Sequence, residues 1–348
     1  MPMNLKQLAA SLGLSQTTVS RALNGYPEVS EKTRERIVAA AKAHNYSPST
    51  RAKSLATGRA MAIGHVIPIS TKSEIVNPVF ADFIAGAGET YAASNYDMIL
   101  SIVPDADELQ SYRDFVARGT VDGVIVHAPR TDDPRVALLK SLGLPFVVHG
   151  RMPIEDQDYP WLDINNRRSF ARATDFLLDL GHRRIALING VESMDFAQRR
   201  RAGFLDALAA RELSADPTLM VSDEMTETIG YDSACAMLDG PNPPTAFLAS
   251  SMITAIGIRR AIGERGLTMG RDISVITHDD ELSYLRNGGS VPLFTATRSS
   301  VRAAGQRAAR LLMDRISAPE EQPEQVIWEA ELTVGQSTGP APQSSQSS

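Results

Sequence analysis

The feature that most restricts the fold of this chain is a set of seven short apolar runs, most of them separated by stretches with helical periodicity. Such runs favour strands of a parallel sheet, since strands buried on both faces need no alternation of polar and apolar side chains. Strands that alternate with helices predict doubly wound α/β sheets, which bind ligands at the carboxyl ends of their strands. The runs span residues 61–69, 97–103, 121–128, 145–150, 184–189, 245–250 and 273–279.

The length of 348 residues predicts more than one domain, because single cores rarely grow beyond about 250–300 residues. The sequence shows no signal peptide and no apolar run long enough to span a bilayer, so we expect a cytoplasmic protein without membrane contact. Cys235 is the single cysteine, which excludes an internal disulfide and a multi-cysteine metal site. We expect no metal and no cofactor.

Charge is distributed unevenly between the start of the chain and its body. Residues 1–60 hold nine Lys and Arg against three acidic residues, a net charge of +6, whereas the whole chain carries −6. The remainder therefore carries −12. A basic head on an acidic body indicates that the head alone meets a polyanion, although a charged run also suits a solvated helix face.

Within the head, residues 1–47, the spacing of apolar side chains predicts three short helices. Asn4 and Gln7 form a capping-box pattern at the start of the first, and Gly13 suits the left-handed residue that ends it. Ser15 then caps a second helix that runs to about Leu23, and a third begins at Ser30. A helix, a tight turn and a second helix match the helix-turn-helix pattern of DNA-binding proteins.

The second helix presents polar side chains away from its apolar face. Thr17 and Arg21 point outward, and Gln16 lies in the exposed first turn. Gln can bond adenine and Arg can bond guanine in the major groove, so these residues are candidates for reading base edges. Short donors that suit phosphate oxygens flank this face at Ser15, Thr18, Ser20 and Asn24.

A possible fourth helix, residues 51–57, follows Pro48 within a linker at 48–59. It is too short to be stable by itself in water and would need a partner to fold. Leu55 stands there among basic and small residues. It suits either a buried linker contact or an apolar wedge that opens base steps in a minor groove.

At this point the sequence resembles the lactose-repressor/galactose-repressor (LacI/GalR) family of bacterial transcription regulators over nearly its whole length. The resemblance is carried by TTVSRALNG, VSEKTRERI, NYSP, AKSLATGR, LGHRRIALI, RRRAGF, ISVITHDD and RAAGQRAARLL. It implies base reading by Gln16, Thr17 and Arg21 and a hinge-helix lever at Leu55. It implies backbone contacts by Leu5, Ser15, Thr18, Ser20, Asn24, Ser30 and Thr33.

The resemblance also implies that the body, residues 60–336, is a hinged clamp of two lobes like a periplasmic sugar-binding protein. We expect one lobe at 60–160 and 292–324 and the other at 161–291 and 325–336. The tail at 337–348 is rich in Pro, Ser and Gln and lacks large apolar residues, which predicts disorder.

Candidate effector contacts lie at the predicted strand ends. Arg200 and Asp279 match family positions that commonly contact effectors, and both also suit interlobe or helix-capping roles. Ser250 stands where the family usually has Asn, which leaves the contact chemistry there open. His127 and Arg151 end two further runs. At helical spacing, Phe80 and Phe83 favour core packing over a sugar-stacking face.

Enzyme interpretations find little support in the sequence. The segment GAGETY lacks the third glycine of a dinucleotide fingerprint and lies inside a predicted helix. No G-x-S-x-G elbow or H-E-x-x-H motif is present, and the six histidines are scattered. A sugar-binding component of a transport system is the alternative, but the basic helical head and the absence of a signal sequence argue against it.

The sequence is therefore interpreted as a homodimeric, non-enzymatic transcription regulator, most readily a repressor of carbohydrate utilisation. We expect a pseudo-palindromic double-stranded operator whose affinity is under allosteric control by a small sugar bound between the lobes. The segments ISTKSEIVNPVFADFIAGAGE and PFVVHGR, with the Ser250–Ser251 pair, most resemble regulators of α-glucoside utilisation.

Overall fold

The computed structural model describes residues 3–23, 25–46, 58–68, 77–153 and 158–342. Asn24, Leu55 and most of the expected hinge at 48–59 lie outside the described residues. Within them the chain forms a helical head and two α/β lobes, each built on a six-stranded sheet.

The head has the three helices that the sequence predicts. The capping box between Asn4 and Gln7 is present, and Gly13 ends the first helix with a φ of 68° in the left-handed region. A small apolar core holds the helices together, with Leu8, Val19 and Ile37 each fully buried. The helices are α1 Leu5–Leu12, α2 Gln16–Leu23 and α3 Glu31–Ala43.

The body alternates strands and helices as its apolar runs predict. Each of the seven runs contains a strand, and the run at 97–103 matches its strand at both ends. In chain order the elements are β1 Ala62–Pro68, α4 Pro78–Ala93, β2 Asp97–Val103, α5 Glu108–Arg118, β3 Gly123–His127, α6 Pro134–Leu142, β4 Phe146–His149, β5 Trp161–Ile164, α7 Asn166–Asp179, β6 Ile185–Asn189, α8 Asp195–Ala210, β7 Met220–Ser222, α9 Glu227–Leu238, β8 Ala246–Ala249, α10 Met252–Glu264, β9 Ser274–Asp279, β10 Thr295–Arg298, α11 Val301–Ser317, β11 Gln325–Trp328 and β12 Glu331–Thr333.

The first lobe is a parallel sheet in the order β11-β5-β4-β3-β1-β2. Helices α4 and α11 cover one face of this sheet, and α5 and α6 cover the other. The second lobe has the order β12-β10-β9-β8-β6-β7, in which only β12 runs antiparallel to its neighbour. Its faces are covered by α7 with α8 and by α9 with α10.

Glycines set the closeness of the helix pairs. A Cβ at Gly86 of α4 would stand 2.0 Å from the carbonyl oxygen of Arg302 on α11, and a Cβ at Gly305 would stand 2.1 Å from that of Phe83. No heavier residue fits such distances without moving a backbone. The two helices therefore pack backbone to backbone over the first sheet.

The expected lobe boundaries were wrong at the crossovers. Strand β5 pairs with β4 in the first sheet and β11 pairs with β5, although residues 161–164 and 325–328 were assigned to the second lobe. Strand β10 pairs with β9 in the second sheet, although 292–298 was assigned to the first. These strands have four residues each, too short for their sequence pattern to indicate which sheet receives them.

The disorder expected for 337–348 is also wrong for its described part, residues 337–342. Ser337 is fully buried, and its hydroxyl accepts a 2.8 Å hydrogen bond from the backbone N–H of Thr295. The N–H of Ala341 donates to the carbonyl of Leu180 at 2.8 Å. Backbone hydrogen bonds hold this segment, which a composition without large apolar residues does not reveal. No helix within the described residues is long and apolar enough to cross a membrane.

Candidate functional site

The outward face of α2 carries the side chains that the sequence singled out. Val19 and Ala22 are buried against the head core, whereas Gln16, Thr17 and Arg21 are exposed. Those three side chains form no hydrogen bond or ion pair within the described part of the chain. Their donors and acceptors are therefore available to a partner that enters along α2.

The short hydroxyl residues around this face also cap helices. The Ser15 hydroxyl accepts a 3.0 Å hydrogen bond from the Thr18 N–H and lies 2.8 Å from the Thr18 hydroxyl. The hydroxyls of Ser30 and Thr33 also lie 2.8 Å apart at the start of α3, although the Ser30 hydroxyl accepts no capping hydrogen bond from a backbone N–H. These hydroxyls and the half-buried Leu5 lie at the N-terminal ends of helices, whose N–H groups suit phosphate oxygens.

A cavity of about 410 Å³ opens between the two lobes. The carboxyl ends of the strands form its floor, as expected for doubly wound sheets. The first lobe contributes mainly apolar and aromatic side chains from α4 and the ends of β3 and β4. The second lobe contributes polar groups from α7 and α8 and from the segments that follow β7, β8 and β9.

Arg200, on α8, is the centre of the polar part of the cavity. Its guanidinium donates from Nε to the Asn166 side chain at 2.8 Å and from Nη1 to the Ser250 carbonyl at 2.7 Å. The guanidinium carbon also lies 5.0 Å from the ring centres of Phe170 and Phe196. Burial lowers the pKa of Arg200 to about 10, so the group remains a cation at neutral pH.

Two carboxyl groups line the cavity near this cation. Burial raises the pKa of Asp280 to about 7, against the lowering effect of the Arg200 charge. Burial likewise raises the pKa of Asp163 to about 6, although Arg151 donates to it at 2.9 Å. A guanidinium beside carboxyl oxygens provides donors and acceptors together, which is the chemistry that sugar hydroxyls need.

The first-lobe wall of the cavity combines aromatic rings with histidines. His127 and His149, at the ends of β3 and β4, both line it together with Phe80 and Phe83. Phe83 stacks on His149 with ring centres 4.3 Å apart, and it is also core, since only 1% of it is exposed. Phe83 is therefore a core residue, as its helical spacing favours, and its ring also helps to shape the cavity.

The structure brings together three of the five effector residues that the sequence suggested. Arg200, Ser250 and His127 line the cavity, and the Ser250 hydroxyl is turned to Asn189 at 2.7 Å. Asp279 does not line it, because its carboxylate accepts from the Glu281 N–H at 2.9 Å. Arg151 contributes indirectly, through its ion pair with Asp163.

Sequence reasoning missed several cavity residues, among them Asp163, Asn166, His149 and Asp280. Two of them had a signal. His149 precedes the Gly150–Arg151 pair in a run already identified, and Asp280 adjoins Asp279. Asp163 and Asn166 had none, because the short strand β5 was not recognised.

Direct contacts hold the lobes together on both sides of the cavity. The N–H of Asp195 donates to the Pro129 carbonyl at 3.0 Å, and the Thr131 N–H to the Ser193 carbonyl at 3.3 Å. On the other side the Asp82 carboxylate accepts from the Ser283 hydroxyl at 2.7 Å. The described arrangement is thus a closed clamp, and opening it breaks these bonds.

A DNA-reading helical head joined to a closed two-lobed clamp defines a ligand-responsive transcription regulator. Residues 4–49 match the model described as bacterial regulatory proteins, lacI family, and residues 174–338 match a periplasmic binding protein-like domain. The chain belongs to the LacI family.

Three relatives give the scale of the likeness. The chain is 48% identical to the HTH-type transcriptional regulator AglR of Rhizobium meliloti (strain 1021), over 98% of this chain and 96% of that protein. The solved transcriptional regulator CelR–cellobiose complex is 27% identical, with a TM-score of 0.70 over 96% of this chain and 99% of that one. The lac repressor dimer bound to operator and the anti-inducer ONPF shares the fold, with a TM-score of 0.83 at 24% identity, over 97% and 100% of the two chains.

Proposed function

We propose that the protein is a homodimeric repressor of α-glucoside utilisation whose operator affinity is set by a neutral α-glucoside bound between the lobes. The observation that carries this is the buried Arg200, which lines one cavity together with Asn166, Asp163 and Asp280. The solved CelR relative holds cellobiose, a disaccharide. A cavity of about 410 Å³ lies within the range of small-molecule sites, roughly 300–1,000 Å³.

The charges around the cavity favour a neutral ligand. Arg200 is the one Lys or Arg among the described residues that line it, and its guanidinium already bonds Asn166 and Ser250. Five acidic side chains line the same cavity: Asp163, Asp223, Glu224, Glu227 and Asp280. A phosphorylated sugar would meet net repulsion there, whereas hydroxyl groups can bond both signs of charge.

The direct test is a ligand panel. Sucrose, maltose and trehalose are compared with trehalose 6-phosphate by thermal shift and calorimetry, since a ligand that binds only the native state raises its melting temperature. We expect at least one neutral disaccharide to bind and to change operator affinity in a gel shift, with no effect of the phosphate ester. Sugar binding without any operator binding would instead identify a transport component.

Exchanging the two residues at the start of α2, in the double variant Gln16→Thr/Thr17→Gln, is expected to change which operator sequence is preferred. Both side chains are exposed on α2, and each good base contact discriminates by about 1–3 kcal/mol. Selection from a randomised operator library measures the preference. Ser20→Ala is the control, expected to weaken all operators alike, and an unchanged consensus for the double variant would contradict base reading by this face.

The exposed edge of the first lobe provides a test of dimerisation. Leu100 and Ile102 are 43% and 48% exposed on β2, the end strand of its sheet among the described residues, and an exposed apolar edge invites self-association. We expect Leu100→Asp/Ile102→Asp to shift the protein to monomer in analytical ultracentrifugation and to weaken binding to a two-half-site operator.

The opposite edge of the same sheet offers a matched control. Ile327, on β11, is 42% exposed and lies on the other end strand. Ile327→Asp is expected to leave the dimer intact. Dissociation by the control, or persistence of the dimer in the double variant, would place the interface elsewhere.

A further inference from the structure

Behind the first-lobe wall of the cavity lies a chain of three buried polar rings. The Tyr91 hydroxyl is 3.1 Å from Nε2 of His65, and Nδ1 of His65 is 2.9 Å from Nε2 of His127. Tyr91 and His65 are buried to within 1% of their surface, and His127, 8% exposed, lines the cavity. The chain thus runs from the core of the lobe to the ligand space.

Donor and acceptor balance determines where the protons of this chain lie. Burial raises the pKa of Tyr91 and lowers that of His65 to about 3, so the hydroxyl keeps its proton and the imidazole is neutral. Within the described residues the Tyr91 hydroxyl has no acceptor other than His65. If it accepted from His65 instead, its own buried O–H would have no partner, which costs about 1–3 kcal/mol.

Each neutral ring carries one proton, so the direction of the first bond determines the next. Tyr91 donates to Nε2 of His65, and His65 must therefore carry its proton on Nδ1. That N–H donates to Nε2 of His127, which leaves the His127 proton on Nδ1. Burial also lowers the pKa of His127, which keeps the second ring neutral.

The orientation of His127 is held as firmly as its proton. The rings of Phe80 and Phe83 meet it edge-on, with centres 5.1 and 4.9 Å away, and its plane lies within 22° of that of His65. Nδ1 of His127 forms no hydrogen bond within the described part of the chain. A ring buried on most sides, with one unbonded nitrogen and a place in the cavity wall, can complete its hydrogen bonding on a ligand.

We propose that Tyr91 and His65 act as positioning residues that set His127 as a hydrogen-bond donor to an acceptor oxygen of the effector. This rests on the proposed function, in which the cavity binds a neutral sugar. The two lobes then contact the ligand with different groups. The first presents a neutral hydrogen-bond donor, and the second presents the Arg200 cation with Asp280. An effector needs an acceptor oxygen placed against the first lobe to bridge them.

The tautomers can be measured without any ligand. In the full-length protein labelled with ¹⁵N-histidine, NMR distinguishes the protonated from the bare nitrogen of each neutral ring. We expect His65 and His127 both to carry the proton on Nδ1 at neutral pH. A proton on Nε2 of His127 would overturn the proposal, whether or not a sugar is known to bind.

The variant Tyr91→Phe tests whether the hydroxyl sets the direction of the chain. Without the hydroxyl, Nε2 of His65 has no donor that keeps it unprotonated. Both tautomers of His65 are then accessible, and mixed tautomers are expected at His65 and His127. Tyr112→Phe is the matched control, because Tyr112 is fully buried in the same lobe under the other face of the sheet and outside this chain. Wild-type tautomers in Tyr91→Phe would refute the relay.

Effector affinity supplies the second readout, measured by calorimetry with whichever of sucrose, maltose and trehalose binds. Tyr91→Phe is expected to bind about twofold or more weakly, since apparent affinity falls with the fraction of competent protein. Tyr112→Phe should bind as wild type does. In His127→Gln, which retains a donor, affinity should exceed that of His127→Leu. Equal affinities in each pair would overturn the donor role, whereas failure of all three sugars contradicts the α-glucoside assignment and leaves the tautomer measurement to decide the relay.

Discussion

Replacing Arg200 with methionine is expected to abolish the response to effector while operator binding survives. Methionine fills much of the same space but removes the donors that face the cavity, and hydrogen bonds to a charged group contribute about 1.5–3 kcal/mol. Effector affinity should therefore fall roughly 10-fold to 150-fold. Operator binding should persist because Arg200 lies in the body, on α8, and the base-reading residues lie on α2.

The neighbouring arginine on the same helix is the matched control. Arg199 pairs with Asp195 and does not line the cavity, so Arg199→Met is expected to bind effector normally. Calorimetry gives the affinity, and gel shifts with and without sugar give the response. An induced repressor carrying Arg200→Met would stay on the operator in the presence of sugar, and a co-repressed one would fail to gain operator affinity. Equal effector affinity in the two variants would remove Arg200 from the site.

Of the two adjacent aspartates, Asp279 and Asp280, only the second lines the cavity. Asp280 lines the cavity, whereas Asp279 accepts from the Glu281 backbone and lies 3.7 Å from the Arg298 guanidinium. We therefore expect Asp280→Asn to weaken effector binding and Asp279→Asn to act mainly on stability. If Asp279→Asn weakened effector binding more than Asp280→Asn did, Asp279 would be the effector contact, as the sequence suggested.

Acidification from about pH 8 to about pH 5.5 is expected to reduce the free energy of unfolding substantially. Burial lowers the pKa of His65 to about 3 and that of His149 to about 4, and holds those of His127 and His278 well below the usual value. The unfolded chain then binds these protons first, so stability present above about pH 6.5 is lost as the pH falls. Each histidine costs on the order of 1 to 2 kcal/mol at about pH 5.5, and the four together roughly 6 kcal/mol.

Two carboxyl groups act in the opposite direction. Burial raises the pKa of Asp280 to about 7 and that of Asp163 to about 6. Protonation of either group therefore increases the free energy of unfolding as the pH falls through those values. Their combined contribution down to about pH 5.5 is roughly 3 kcal/mol. The histidines outweigh them, and a net loss of roughly 3 kcal/mol remains.

Urea unfolding at a series of pH values measures this loss. His149→Leu should reduce the slope by about one proton, because the ring of His149 makes no hydrogen bond within the described residues and its loss removes one titrating group. His44→Gln, at an exposed position of the head, is the control and should leave the slope unchanged. A wild-type stability that stays constant or rises on acidification would contradict the neutral state of the buried histidines.

Local patterns determined the head and most strands. The capping box at Asn4 and the left-handed Gly13 depend on neighbours within a few residues, which the sequence displays directly. Strands buried on both faces, such as β1 and β3, are apolar over most of their length, with one histidine in each, and were recognised for that reason. Short strands at crossovers had no such signal.

The docking of residues 337–342 was decided by tertiary structure. Ser337 and its neighbours include no large apolar side chain, and their order comes from hydrogen bonds to Thr295, Val275 and Leu180, residues distant along the chain. Composition reports how much apolar surface a segment can bury, but it does not report which partners its backbone can reach.

At the cavity, the sequence by itself determined which residue types stand at the strand ends, and the tertiary structure decided which of them face a ligand. Asp279 ends β9 and Asp280 follows it directly, yet Asp280 lines the cavity and Asp279 does not. The chain from Tyr91 through His65 to His127 joins residues on α4, β1 and β3 that only the parallel sheet brings within hydrogen-bonding distance. Protonation there depends on burial and partners, which are properties of the folded molecule.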